Sequence, residues 1–172
     1  MENKVKLILS LLPVVGLVLY MSLNKKKVIS KNGLDLLKQF EGWRAQVYLD
    51  SANLPTIGYG HLLKDNETYF MINKMEGEAL LKQDVSVAET AVNKMVSVNL
   101  SQNMFDALVS FVYNVGAGAF KASTLLRVLN AGDYQEAQRQ LAVWNKITVD
   151  GVKIVSQGLV YRRKQEQNLF FA

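Results

Sequence analysis

The stretch 30–61, SKNGLDLLKQFEGWRAQVYLDSANLPTIGYGH, decides how the chain is read. Ser30 can cap a helix whose apolar residues recur at helical spacing as far as Glu41, and Gly42 supplies its stop. Val47-Tyr48-Leu49-Asp50, the turn SANLP and Thr56-Ile57-Gly58-Tyr59-Gly60-His61 then read as a β-hairpin. The β-branched and aromatic residues favour strand, and Pro55 with the small turn residues ends the run. A helix followed at once by a hairpin, with helical patterns after it, predicts a mostly helical α+β layout whose few strands sit in one early hairpin.

Beyond that stretch the patterns are helical. Leu80, Leu81, Val85, Ala88, Val92 and Met95 keep helical spacing from Glu76 to about Met95. Ser101 is a potential cap for a helix over 101–113, and the segment VGAGAF breaks it. A short helix follows near 123–130. Asp133 with Glu136 three residues later resembles a capping box for a helix to about Trp144, and a last helix covers 158–170. Met104, Phe105, Phe111, Trp144 and Phe170 are expected in the core. The glycines at 116–118 lack the lysine and strand context of a phosphate loop.

Composition excludes several chemistries. There is no cysteine and only one histidine, so a disulfide framework or a thiolate nucleophile is impossible, and no metal site or cofactor is expected. The net charge of +5 is unevenly placed. Residues 1–27 hold five Lys and one Glu, which leaves 28–172 nearly neutral with no long basic run, so nucleic-acid binding has little support. Residues 7–23 carry no charge and thirteen of them are apolar. As a helix they would span roughly 26 Å, slightly less than a hydrocarbon core of about 30 Å. Lysines on both sides argue against a buried core helix. The residues before Asn24 lack the small-x-small pattern of a cleavage site. The expectation is therefore an uncleaved signal anchor over 1–27, a transmembrane helix preceding a domain over 28–172.

Three residues stand out chemically: Glu41, Asp50 and Thr56. On a wheel of about 100° per residue with Leu34 at zero, Leu37 falls near 300° and Glu41 near 340°. That puts a carboxyl at the rim of the buried stripe in the last helical turn. Partial desolvation and the negative end of the helix dipole both disfavour its ionised form, as a general acid requires. Arg162 or Arg163 is the cation that could reverse this. Asp50 ends the first strand and Thr56 begins the second, so a five-residue turn would set them opposite each other in a polar place where the Asp stays ionised. Each residue alone is ordinary. Together, a protonated Glu and an ionised Asp beside a hydroxyl are what glycoside hydrolysis needs, and a gap wide enough for water gives inversion.

Glu41, Asp50 and Thr56 with the following IGYGH resemble the signature of the phage-type lysozymes, the family of T-even and lambdoid endolysins. The resemblance runs through most of 30–172, including FDALVSFVYNVGAGAFKASTLLRVLNAGD and the closing WNK with GLVYRRKQEQNLF. It implies a lysozyme fold and cofactor-free, inverting hydrolysis of the β-1,4 link between N-acetylmuramic acid and N-acetylglucosamine in peptidoglycan. It implies Glu41 as the acid, with Asp50 and Thr56 positioning the attacking water. It also implies a structural ion pair of His61 with Asp84, and a substrate contact at Asn114. Peptidoglycan lies outside the bacterial inner membrane. An anchor at 7–23 would thus hold a monomeric catalytic domain on the periplasmic side, as in signal-arrest-release endolysins, until release for host lysis. Two rivals differ in kind: a lytic transglycosylase, in which Asp50 and Thr56 would have no role, and a tethered wall-binding protein without catalysis.

Overall fold

The computed structural model describes residues 26–50 and 52–172. The expected anchor at 7–23 lies outside them, and no helix among the described residues is long and apolar enough to cross a membrane.

Helix α1 covers Lys31–Glu41, begins at the expected Ser30 cap and stops at Gly42, whose φ of 71° suits glycine. Strand β1 (Arg44–Leu49) pairs antiparallel with β2 (Pro55–Gly58), and β2 pairs with β3 (His61–Leu62). The run expected as one strand over 56–61 therefore bends. Gly58 (φ 69°) and Gly60 (φ 85°) take backbone conformations that most residues avoid, and they fold GYGH into a second turn. Helix α2 (Lys74–Met95) starts earlier than expected, at a full capping box of Asn73 and Glu76. Its Gly77 lets the Trp43 ring rest on the helix: a Cβ there would stand 2.2 Å from Trp43 Cζ3. Ile57, Ile72 and Leu80, with Trp43, Leu63 and Tyr69 against them, form a small apolar cluster that seats the sheet on α2.

The larger core surrounds α3 (Gln102–Val115). Phe105 to Val112 are buried without interruption, so the middle two turns of this helix are enclosed on all sides. It is followed by α4 (Ala117–Lys121), α5 (Thr124–Asn130), α6 (Tyr134–Leu141) and α7 (Gln157–Phe170). Of the expected core residues, Phe105, Phe111 and Phe170 are buried, while Met104 and Trp144 pack on the core half-covered.

Two expectations need correction. The segment VGAGAF is more than a break, because residues 117–121 make a turn and a half of helix. The strands are not confined to the early hairpin: β4 (Lys146–Val149) and β5 (Val152–Val155) form a second one, and α6 stops at Leu141 instead of reaching Trp144. Its two-residue turn, Asp150-Gly151, has φ of 48° and 79°, the twist that joins two strands directly. The pattern ITVDGVKIV carries this signal, a turn-forming Asp-Gly between alternating β-branched residues.

The chain enters the domain along a short strap. Lys27 exchanges two hydrogen bonds with the Asn93 side chain (2.9 and 2.8 Å), the Ile29 N–H donates to Glu89 (2.7 Å), and the Ser30 N–H donates to Asp106 (3.0 Å). Gln102 Nε2 donates to the Val28 carbonyl at 2.9 Å. These bonds fix the start of α1, and so the place where its far end, Glu41, emerges.

Candidate active site

Glu41 occupies the last position of α1, with its side chain 23% exposed. That is the rim position the helical wheel predicts. The cation that reaches it is Arg162, on α7: Nη1 donates to Glu41 Oε1 at 2.9 Å, so burial and the helix dipole do not act alone on this carboxyl, as the sequence expectation had them. The second oxygen, Oε2, has no hydrogen-bond partner among the described residues. It faces the GYGH turn, where a Cβ at Gly60 would lie 3.7 Å away. The bend at Gly58 and Gly60 thus carries the sheet against the end of α1. A side chain at position 60 would stand in van der Waals contact with that oxygen.

The sheet also carries Asp50 and Thr56, but not directly opposite each other. Thr56 pairs with Tyr48 and Leu49 with Pro55, so Asp50 is offset from Thr56 by two positions along the ladder. Side chains two apart share a face, so the two are diagonal neighbours rather than a facing pair. Asp50 is half-buried, and its Oδ1 accepts the N–H of Ala52 at 2.8 Å and of Leu54 at 2.9 Å. That turn fixes the carboxylate plane and leaves Oδ2 unpartnered among the described residues. Thr56 is 2% exposed, and its Oγ1 donates to the Leu54 carbonyl at 3.1 Å. With the hydroxyl proton committed, the oxygen is left as an acceptor.

His61 and Asp84 meet as the resemblance implies, with Nδ1 2.8 Å from Asp84 Oδ2. A third member was not expected: Nε2 lies 2.9 Å from Glu67 Oε2. Burial of the ring works against the charged form, yet the two carboxylates outweigh it and hold His61 above the ordinary histidine range. The same contact, helped by the Lys64 N–H, holds Glu67 below the usual carboxylate range. Glu67 sits in an irregular stretch six residues past His61, where no periodicity marks it.

Asn114 is exposed near the end of α3, and its Oδ1 accepts from Arg163 Nη2. The preceding Tyr113 is half-buried. Burial pushes its phenol well above the usual tyrosine range, the negative charges of Glu41 and Asp84 push the same way, and Arg162 opposes them. Behind Arg162 lies a buried polar group the sequence reading missed. Glu166 is fully buried and accepts from Ser110 Oγ at 2.8 Å and Arg162 Nε at 3.3 Å. The spacing of Arg162, Arg163 and Glu166 along one helix was its only trace, and it reads equally well as a solvated face. Among the described residues, no group of three or more His, Asp or Glu side chains is placed to hold a metal ion.

Residues 38–166 match the family model described as "Phage lysozyme". The chain is 45% identical over 144 residues to an endolysin of Bacillus phage B103, covering 83% of this chain and 53% of that protein. It thus spans about half the length of that relative. It is 39% identical over 129 residues to a protein named SAR-endolysin from Bacteriophage PS119, covering 75% of each. Among solved structures it is similar to an endolysin from Escherichia coli O157:H7 phage FAHEc1. The TM-score there is 0.78 at 40% identity, over 84% of this chain and 93% of that one.

Proposed function

The chain belongs to the phage lysozyme family, and on that premise we propose that it hydrolyses the β-1,4 bond between N-acetylmuramic acid and N-acetylglucosamine in peptidoglycan, with inversion. The observation that carries the reading is the placement of the Glu41 carboxyl. One oxygen is pinned by Arg162 at 2.9 Å, and the other has no hydrogen-bond partner among the described residues and lies beside Gly60. With Oε1 occupied by the guanidinium, Oε2 is the oxygen left without a partner to pass a proton to a glycosidic oxygen.

Asp50 and Thr56 suit the other half of the reaction. A water between them can donate one hydrogen to Asp50 Oδ2 and the other to Thr56 Oγ1, because both oxygens are acceptors only. Its own lone pair is then directed outward. As the water attacks the anomeric carbon, its proton passes to Asp50 while Glu41 protonates the departing sugar oxygen. Attack by water on the face opposite the leaving group inverts the centre. His61, Asp84 and Glu67 have a structural role, tying the sheet to α2. Asn114, joined to Arg163 beside Tyr113, is an exposed polar group available for sugar contact.

The reading extends to location. Residues 7–23 act as an uncleaved signal anchor in the bacterial inner membrane, with the domain over 28–172 on the periplasmic side, held there until release for host lysis. The apolar, uncharged sequence and the likeness to a SAR-endolysin support this.

The decisive experiment is turbidity clearance of purified cell walls by the chain and by Glu41→Gln, with analysis of the products. The expected result is reducing-end muramic acid from the wild type and loss of at least about 100-fold in rate for the variant. An anhydro product would point to transglycosylation, and a Glu41→Gln chain that still clears walls would refute the glycosidase reading.

A further inference from the structure

Nothing in the reaction just described uses Glu166, yet it is fully buried in the helical body. Ser110 Oγ and Arg162 Nε donate to Oε1, and Arg163 Nε stands 3.3 Å from Oε2, which has no hydrogen-bond partner among the described residues. Burial pushes this carboxyl above the ordinary range, and the two arginines with the Ser110 hydroxyl oppose that push.

The consequence falls on Arg162. Its three nitrogens are all committed: Nε to Glu166, Nη2 to the Ser110 carbonyl at 3.3 Å, and Nη1 to Glu41. Its guanidinium lies over the Phe40 ring, 4.6 Å from the centroid. A guanidinium is rigid and planar, so fixing two nitrogens and one face fixes the direction of the third. Glu166 stands 3.3 Å from Nε of each arginine, but only the Arg162 contact is aligned as a hydrogen bond; Arg163 Nε and Nη1 and Glu166 Oε2 have no hydrogen-bond partner among the described residues.

Taking Glu41 as the acid, we propose that Glu166 is a positioning residue for the reaction: it holds Arg162, with Ser110, in the one orientation that aims Nη1 at Glu41 Oε1 and keeps Oε2 turned to the substrate. A residue that merely neutralised buried arginines would change stability alone. A positioning residue changes turnover, and does so only while the Arg162 fork is present.

The test uses the full-length chain in mild detergent, with soluble peptidoglycan glycan fragments as substrate, well below each variant's Tm. Glu166→Gln keeps the shape and one acceptor but loses the charge. Glu166→Met removes both. The expected result is a fall in kcat of about fivefold for Gln, the gap between a charge-assisted and a neutral hydrogen bond, and a larger fall for Met, with KM within about twofold of the wild type. Arg162→Lys should lower kcat at least as much, and adding Glu166→Gln to it should change kcat by less than about twofold. Multiplying losses in the double variant, or a wild-type kcat in Glu166→Gln while Glu41→Gln is inactive, would overturn the positioning role and leave the acid assignment standing. An active Glu41→Gln would bring both down. If Glu166→Met fails to fold, the Gln variant alone and in the double decides.

Discussion

Replacing His61 by Asn should make the protein's stability respond to pH differently from the wild type, in a direction the geometry dictates. Nδ1 faces Asp84 at 2.8 Å and Nε2 faces Glu67 at 2.9 Å. A neutral imidazole has one N–H and can serve only one of these acceptors, so both contacts require the imidazolium. The folded protein therefore binds this proton more tightly than the unfolded chain, consistent with the raised position of His61. The resulting stabilisation is complete below the unfolded value of about 6.5 and is lost as pH climbs through the higher folded value. Between the two, wild-type stability should fall by up to about 1.4 kcal/mol per pH unit relative to the variant. The ring is 2% exposed, but Asp84 (24%) and Glu67 (16%) can regain some water when it is removed. The full loss in His61→Asn at about pH 6 should accordingly lie near the lower end for a broken buried pair, about 3 kcal/mol. Urea denaturation of both proteins between about pH 5.5 and about pH 9 measures the difference. A gap that stays constant, or widens as pH rises, would refute a charged His61 bridging two carboxylates.

Other consequences can be checked separately. Gly77→Ala places a Cβ 2.2 Å from the Trp43 ring and should cost about 1–3 kcal/mol in denaturant unfolding, with a smaller cost in a Trp43→Leu background. Leu141→Ala empties a fully buried position and should destabilise by about 3 kcal/mol without changing the urea m-value. Gly60→Ala, at φ 85° and 3.7 Å from Glu41 Oε2, should lose about 1 kcal/mol of stability but a disproportionate share of wall-clearing rate; equal small losses would mean the oxygen is not used there. Tyr113 should still be protonated when ordinary tyrosines ionise near about pH 10, and Tyr113→Phe should delete that late step from an absorbance titration.

Much of this molecule is legible in its sequence, because local signals and global packing agree. Ser30 and Gly42 bound α1, and the 3.6-residue period of Leu34, Leu37 and Glu41 places the Glu41 carboxyl at the rim of the core. The departures have physical causes. Two glycines at positive φ turned an apparent strand back on itself, which periodicity cannot register. The diagonal placement of Asp50 and Thr56 depends on ladder register, set by the Asp50–Leu54 backbone pairing rather than by turn length. The hairpin around Asp150-Gly151 falls between the helical patterns that end near Trp144 and begin at 158, and only its turn dipeptide and alternating β-branched residues mark it. Glu67 and Glu166 could not be found in advance. Their meaning comes from His61 and Arg162, partners brought to them by tertiary folding, and an acidic residue carries no mark in sequence that it will be enclosed.

The strap at 27–30 has a mechanical consequence. Its bonds to Asn93, Glu89, Asp106 and Gln102 run to two different helices, so tension applied ahead of residue 26 is shared by α2 and α3 before it can unwind the first turn of α1. Glu41 sits at the opposite end of α1, shielded from that pull. Cargo or a surface linkage attached upstream should therefore burden the domain at its foot while leaving the working end undisturbed.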